Sequence, residues 1–259
     1  MVFPIRDDNT GRTITPVVNY VLIAANVLVF LVFQGFGSNE RFTYAFSTVP
    51  QEIATGVDVD RPVVVEDPIS GDTVGRIDLQ PTPGSVYLTL LTSMFMHGGL
   101  MHLLGNMLFL WIFGDNIEDD LGHARYAAFY LTAGILASLA HVASTFALNQ
   151  NPYIPSLGAS GAISGVLGAY LLMHPRRRVT VFLFRFLTEV PGFVAVGLWF
   201  VFQLISGLGM LGGGAQAGGV AYAAHIGGFV AGFALVKPFM IGRGRGAGGA
   251  GPMIRPGGF

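Results

Sequence analysis

Apolar residues gather into six long stretches of the chain, and polar residues collect between them. The stretches run near residues 17–33, 97–114, 127–148, 157–173, 191–211 and 219–239. A helix rises about 1.5 Å per residue, so about 20 mostly apolar residues cross a hydrocarbon core about 30 Å thick. The pattern therefore predicts an all-α, polytopic membrane protein with six transmembrane helices.

The remaining segments predict the domain organisation. Residues 1–16 form an N-terminal segment, and residues 17–241 form the membrane domain. Residues 37–85 are inserted after the first helix as a long external loop. Residues 242–259 are rich in Gly, Arg and Pro, a composition typical of a disordered tail.

Two segments between the helices have patterns of their own. In the long loop, the valines at 63–65 and the Ser-Gly-Asp at 70–72 suggest a small β-hairpin. Residues 179–187 are apolar but contain Arg185, which favours a segment that lies at the membrane interface rather than a further span.

Basic residues are sorted between the two ends of the predicted helices. Three of the fourteen, Arg41, Arg61 and Arg76, fall in the long loop. The other eleven fall at the opposite end: Arg6, Arg12, Arg125, Arg176, Arg177, Arg178, Arg185, Lys237, Arg243, Arg245 and Arg255. Because basic residues mark the cytoplasmic side, we expect both termini in the cytoplasm. The first stretch follows Arg6 and Arg12 as a signal peptide would, but it is long for one and no Ala-x-Ala-like site follows it, so we expect an uncleaved signal anchor. The membrane we expect is the plasma (inner) membrane of a prokaryote.

Composition narrows the class of protein. Only 11% of the residues are charged, against roughly 25% in a soluble domain, and 37 glycines indicate helices packed through small residues. The absence of cysteine excludes disulfides, a thiolate nucleophile and Cys-ligated zinc. A net charge of −1 gives no sign of nucleic-acid binding. We expect no metal ion, no cofactor and no nucleic-acid partner.

Polar residues at membrane depth are informative because each lacks water and must be paired or functional. Ser160 lies in a Gly-Ala-Ser-Gly sequence at the start of the fourth stretch, where free backbone N–H groups favour developing negative charge. Gly158, Gly161, Gly165 and Gly168 form a smooth stripe around it. Ser160 is either a nucleophile or one more small residue of this stripe, and we expect Gly158 and Gly161 to be structural residues beside it.

His225 in the sixth stretch is a suitable partner for the serine. Gly228 and Gly232 follow it by three and seven residues, so the imidazole shares a helix face with small residues. Such a helix can approach the fourth closely, and imidazole is the usual activator of a serine hydroxyl. The alternative is a structural histidine bonded to a backbone carbonyl. Gly228 is expected to be structural.

The second stretch adds hydrogen-bond donors. His102 and Asn106 are four residues apart and share one helix face, so both can donate toward a tetrahedral oxyanion. His97 precedes His102 by five residues and faces elsewhere, which favours a structural role where the helix begins. His141 has no such neighbours, and we expect it to pack.

Together these motifs resemble the rhomboid family of intramembrane serine proteases. The resemblance covers about residues 86–235 and implies a six-transmembrane-helix rhomboid-like bundle. It implies that Ser160 is the nucleophile and His225 the general base. The oxyanion hole would be formed by His102, Asn106 and the backbone N–H of Ser160.

The sequence departs from the family pattern at two places. Leu88 and Thr89 stand about where many rhomboids carry a Trp-Arg pair. Ser164 replaces an aromatic residue that packs on the catalytic histidine in some members. Ser164 also lies one helical turn from Ser160, which makes it a rival nucleophile.

The resemblance implies hydrolysis of peptide bonds in or next to transmembrane segments. Because no carboxylate lies within the six stretches, we expect a Ser–His dyad whose imidazole is held by packing. A zinc protease would need His-Glu-x-x-His and an aspartyl protease two buried aspartates, and the stretches carry neither. A small-molecule transporter and an inactive rhomboid-like chaperone or binding protein remain as alternatives. Expected partners are transmembrane protein substrates and the lipid bilayer; the oligomeric state is left open.

Overall fold

A computed structural model describes residues 2–66, 73–183, 186–211 and 222–242. Its α-helices are α1 (Val17–Leu28), α2 (Glu40–Ala45), α3 (Pro50–Thr55), α4 (Thr89–Thr92), α5 (Leu100–Leu121), α6 (His123–Ala147), α7 (Ser160–Met173), α8 (Gly192–Leu211) and α9 (Tyr222–Met240). Its strands are β1 (Val2–Asp7), β2 (Pro62–Glu66), β3 (Thr73–Asp78), β4 (Arg178–Leu183) and β5 (Phe186–Pro191). A π-helical turn, Val29–Phe33, continues α1. Apart from Gly242, the tail predicted at 242–259 lies outside the described residues.

Each of the six apolar stretches contains a helix, so the chain is mostly helical as predicted. Among the described residues, α5, α6 and α9 are long and apolar enough to cross a membrane. The other three stretches form shorter apolar helices, Val17–Phe33, Ser160–Met173 and Gly192–Ser206 within α8. The count of six spans therefore stays a prediction.

The prediction of an all-α protein is wrong at one end of the bundle. β1, β4 and β5 form an antiparallel sheet with β4 in the middle, in which Phe182 pairs with Phe3 on one side and Leu187 on the other. The 179–187 segment, predicted to lie at the interface, is thus most of a β-hairpin. Val179 and Val181 in the central strand β4 are buried, and the run of β-branched residues from Val179 to Val181 suits a strand.

The long loop after α1 contains the hairpin expected there. β2 and β3 pair antiparallel, with Val63 opposite Ile77, while the turn predicted at 70–72 lies outside the described residues. The loop is fastened to the segment that precedes α7, because Thr48 and Ser156 exchange two backbone hydrogen bonds of 3.0 and 2.8 Å.

Acidic residues at the C-terminal end of α5 join several segments at the end of the bundle opposite the long loop. α5 continues past residue 114, where the apolar stretch ends, to Leu121. The Glu118 carboxylate accepts the backbone N–H groups of Val18 and Asn19 at 2.9 and 2.7 Å, which satisfies free donors at the start of α1. Asp115 pairs with Arg12 at 2.7 Å. The N-terminal segment, the end of α5 and the three-stranded sheet therefore lie at the same end.

α7 is the central helix, buried from Gly161 to Tyr170, and it packs on α9 backbone to backbone. A methyl group placed on Gly232 would overlap the carbonyl oxygen of Gly165, and one on Gly228 would overlap that of Gly161. Only glycine permits this approach, so the small-residue stripes predicted from the sequence do face each other.

We expect Gly232→Ala to lower the stability of the protein by about 1–3 kcal/mol, the usual cost of overpacking, because the added methyl must displace the backbone of α7. Gly197→Ala is the matched control, since a methyl at this position in α8 meets no atom within 4 Å. It should be neutral or stabilising by up to about 1 kcal/mol. Thermal unfolding in detergent compares the two variants; equal midpoints would contradict the close packing of α7 and α9.

Glu52 is a buried carboxylate in the long loop. It lies on α3 with 1% of its surface exposed, and one of its oxygens accepts the Val59 N–H at 3.1 Å. The other oxygen has no hydrogen-bond partner among the described residues. Burial raises the pKa of Glu52 from 4.5 to about 7; the Val59 hydrogen bond offsets part of this rise, and the nearby Asp58 carboxylate adds to it.

The raised pKa predicts a pH-dependent stability. Ionising Glu52 is harder in the folded loop than in the unfolded chain, so its contribution is fully favourable below pH 4.5 and is lost as the pH rises to about 7. We expect the wild-type unfolding midpoint in detergent to fall over this range, and Glu52→Gln to reduce that fall. Glu40→Gln, at an exposed position on α2, is the control and should behave as wild type. A fall of equal size in Glu52→Gln would exclude Glu52 as its source.

Candidate active site

Ser160 and His225 are in direct contact between α7 and α9. Nε2 of His225 lies 2.7 Å from Oγ of Ser160, a distance at which an imidazole can take a hydroxyl proton. Ser160 is the first residue of α7, so its backbone N–H belongs to the first turn, where N–H groups have no partner within the helix. Both residues are half-buried. The structure therefore joins the serine and the histidine that the sequence singled out.

Two of the three structural glycines predicted beside this pair, Gly161 and Gly228, allow the contact. A methyl on Gly161 would lie 2.8 Å from the Cβ of Ala137 in α6, and one on Gly228 would overlap the Gly161 carbonyl oxygen. Three helices thus meet at van der Waals distance next to Ser160. Larger residues at either glycine would separate the imidazole from the hydroxyl.

Gly158 brings the segment before α7 against α5. Its φ of +120° is strained for residues with a side chain, and a Cβ there would lie 2.9 Å from Nε2 of His102 and 3.7 Å from Nδ2 of Asn106. The Gly158 N–H donates to the Ser93 carbonyl at 2.8 Å, which fixes the segment. His102 and Asn106 are thereby held next to the start of the helix that carries Ser160.

Both of these side chains present N–H donors. Nδ1 of His102 accepts the Gly98 N–H at 3.4 Å, so in the neutral ring Nε2 carries the hydrogen and faces Gly158. Asn106 is 8% exposed, and its Nδ2 has no partner among the described residues. A buried donor without a partner lowers the stability of the fold. Such a donor is suited to a hydrogen bond with an oxygen that gains negative charge during a reaction.

His97 was expected to face elsewhere than His102, but it lies beside that residue, and its backbone is held by Gln34. The His97 ring is 1% exposed and meets the His102 ring edge-on at 5.2 Å between centroids. Gln34 accepts the His97 N–H and donates to the His97 carbonyl, both at 2.9 Å. Gln34 was not predicted as a site residue; an amide directly after the apolar stretch 17–33 is the signal in the sequence that could have identified it.

Ser164, the rival nucleophile, has its hydroxyl engaged within its own helix. Its Oγ donates to the Ser160 carbonyl at 2.6 Å, a bond common for serine inside helices, and the side chain is buried. The geometry favours Ser160 over Ser164.

The prediction that packing alone holds the imidazole is wrong. Nδ1 of His225 lies 2.8 Å from Oε1 of Gln203 in α8. The ring centroids of Trp199 and Tyr222 each lie 6.2 Å from the centroid of the imidazole. Gln203 was not predicted, because only ionisable groups, serines and Asn106 were considered at membrane depth. An amide within the fifth apolar stretch is as unusual there as an ionisable group and is the signal that could have identified it.

These features define a helical membrane protein in which a serine and an imidazole meet between glycine-packed helices. The model of the Rhomboid domain matches residues 84–241, which is more than half of the chain and includes all of the site residues discussed above except Gln34. The chain belongs to the rhomboid family.

Named relatives come from mitochondria and from a bacterium. The chain is 33% identical over 145 residues to Rhomboid protein 1, mitochondrial, of Saccharomyces cerevisiae, covering 56% of this chain and 40% of that protein. It is 36% identical over 103 residues to the human Presenilin-associated rhomboid-like protein, mitochondrial, covering 40% and 27%. It is 35% identical over 144 residues to Rhomboid protease GluP of Bacillus subtilis, covering 56% and 24%.

The chain thus spans less than half the length of these relatives. A membrane location agrees with the family and with the apolar helices. The prokaryotic plasma membrane expected from the sequence is not supported, because two of these three relatives are named mitochondrial.

Proposed function

We propose that the protein is an intramembrane serine protease that hydrolyses peptide bonds in or next to transmembrane segments of membrane proteins. The observation that carries this proposal is the 2.7 Å contact between His225 Nε2 and Ser160 Oγ. Membership of the rhomboid family supports it, and one relative is named as a rhomboid protease.

The reaction begins with acyl transfer to the serine. Ser160 Oγ attacks the carbonyl carbon of the scissile bond while His225 Nε2 takes the hydroxyl proton. The carbonyl electron pair moves onto oxygen, which accepts hydrogen bonds from His102, Asn106 and the Ser160 backbone N–H. The tetrahedral intermediate then collapses, the C–N bond breaks, and His225 returns the proton to the leaving amine.

Water completes the cycle. His225 takes a proton from a water molecule whose oxygen attacks the acyl-enzyme ester, and the second intermediate releases the carboxyl product as the proton passes to Ser160 Oγ. His102 is exposed and Ser160 is half-buried, so the site opens to a surface from which water can enter.

The proposed substrates are transmembrane helices that unwind easily. A peptide bond inside an intact helix is hydrogen-bonded and surrounded by side chains, so its carbonyl carbon cannot approach Ser160 Oγ. A transmembrane segment with helix-destabilising residues exposes that bond at lower cost, which makes such segments the expected partners.

We propose that the end with the three-stranded sheet faces the cytoplasm. Eleven of the fourteen basic residues lie in segments predicted at this end. The pairing of β1 with β4 and the Arg12–Asp115 ion pair support grouping the N-terminal segment with the α7–α8 connection. Both termini and the long loop then have the sides expected from the sequence.

Ser160→Ala should abolish cleavage of a model transmembrane substrate in proteoliposomes and abolish covalent labelling by a fluorophosphonate probe. We expect a loss of more than about 10³-fold, because the nucleophile itself is removed. His225→Ala should lose labelling as well. Ser164→Ala is the matched control, one helical turn away, and should keep both activities.

Cleavage or labelling that persists in Ser160→Ala would contradict the assignment of the nucleophile. A wild-type protein that is neither labelled nor cleaves in the bilayer would contradict the protease itself and favour an inactive binding protein or a transporter.

Asn106→Ala and His102→Ala should each lower kcat by about 10²–10³-fold, the usual effect of removing one oxyanion donor, and should leave KM nearly unchanged. Leu104→Ala, at an exposed apolar position of the same helix, is the control and should retain wild-type kcat. Kinetics with a transmembrane substrate in detergent separate the two constants. A change confined to KM would show that these side chains bind substrate without stabilising the oxyanion.

A further inference from the structure

Gln203 lies on the inner face of α8. Val196, Trp199 and Gln203 are spaced three and four residues apart and form one stripe, in which Val196 is 1% and Gln203 7% exposed. Phe202 and Ile205 lie on the outer face, at 50% and 64% exposure. Gln203 is the only amide side chain in the sequence of α8, and its Oε1 lies 2.8 Å from the imidazole of His225.

The hydrogen bonds of His225 fix the tautomer of its ring. Oε1 of Gln203 lies 2.8 Å from Nδ1, and Oγ of Ser160 lies 2.7 Å from Nε2. An amide oxygen can only accept a hydrogen bond, so Nδ1 of the neutral ring carries the hydrogen. Nε2 then holds the lone pair and accepts the hydroxyl proton of Ser160, which is what a general base requires.

We infer that Gln203 is the positioning residue of the His225 imidazole: it holds the Nδ1–H tautomer and aims Nε2 at Ser160 Oγ. This inference rests on the proposed protease function. Gln203 occupies the place that an aspartate has in a Ser-His-Asp triad, where the acceptor orients the ring and stabilises the imidazolium.

An amide fits this place better than a carboxylate. A charged group at membrane depth is costly, whereas a neutral amide supplies the same acceptor oxygen at a far smaller desolvation cost. When His225 becomes protonated, Nδ1–H remains bonded to the Gln203 oxygen, and the amide dipole points its negative end at the new charge. Among other titratable groups, Tyr222 from α9 has its ring centroid 6.2 Å from that of the imidazole, and His102 from α5 and His141 from α6 interact with the imidazole electrostatically.

The first test reads the tautomer directly in the wild-type protein. ¹⁵N NMR of the histidine-labelled protein in detergent distinguishes protonated from unprotonated ring nitrogens, and His225→Ala identifies the His225 signals by their loss. We expect Nδ1 protonated and Nε2 unprotonated near neutral pH. A ring protonated at Nε2 instead would overturn the inference. This measurement needs no substrate and no variant of Gln203.

The second test removes the acceptor. Gln203→Met keeps the length of the side chain and loses the amide, so the ring can rotate and sample both tautomers. Because general-base catalysis contributes about 10²–10⁴-fold, we expect kcat and the rate of fluorophosphonate labelling to fall on the order of 10- to 100-fold, with KM within about 2-fold of wild type. Ile205→Met, on the outer face of the same helix, should match wild type in all three.

The outcomes separate this inference from the protease proposal. If the wild type cleaves and Gln203→Met does so with equal kcat and an unchanged His225 tautomer, Gln203 does not position the ring. If the wild type neither cleaves nor is labelled, the protease proposal fails, and the ¹⁵N spectra of wild type and Gln203→Met still decide whether Gln203 sets the tautomer.

Discussion

Backbone contact between α7 and α9 is the constraint on which the site depends. Gly161 and Gly165 on one helix face Gly228 and Gly232 on the other, at distances that leave no room for a methyl group. In a bilayer, apolar burial does not drive helices together, so van der Waals contact between close backbones must do so. Helix axes usually lie 8–10 Å apart, and the serine side chain is short. The 2.7 Å contact of Ser160 with His225 therefore depends on the close approach of α7 and α9.

The length of α7 determines where that contact lies in depth. Its 14 residues span about 21 Å, against about 30 Å for the hydrocarbon core. If its far end reaches one membrane surface, Ser160 lies well below the other. The segment before α7 is fixed by backbone hydrogen bonds of Gly158 with Ser93 and of Ser156 with Thr48. These hydrogen bonds pair backbone groups of the segment that leads into Ser160.

The role of a residue could be predicted from the sequence where it depends on neighbours in the same helix. It could not be predicted where it depends on a partner that is distant in sequence. The helix period alone places Gly228 and His225 on one face, and His102 and Asn106 on another. Gln203 has no neighbour in sequence that indicates its partner, since His225 lies 22 positions away on a different helix. β1 was missed for the same reason: Pro4 and a bulge interrupt its pattern, and Val2 pairs with Leu183.

The pairing of β1 with β4 limits the order in which the protein can assemble. β1 precedes the first apolar helix, and β4 follows α7, so the first strand of the chain has no partner until most of the bundle has been synthesised. Asp7 likewise has partners that follow much later in the chain, because its carboxylate accepts hydrogen bonds from Asn116 and Tyr170 at 2.6 and 3.0 Å. Closing such long loops is slow and comes late in folding. β1 can therefore pair with β4 only after α7, the central helix of the bundle, has been synthesised.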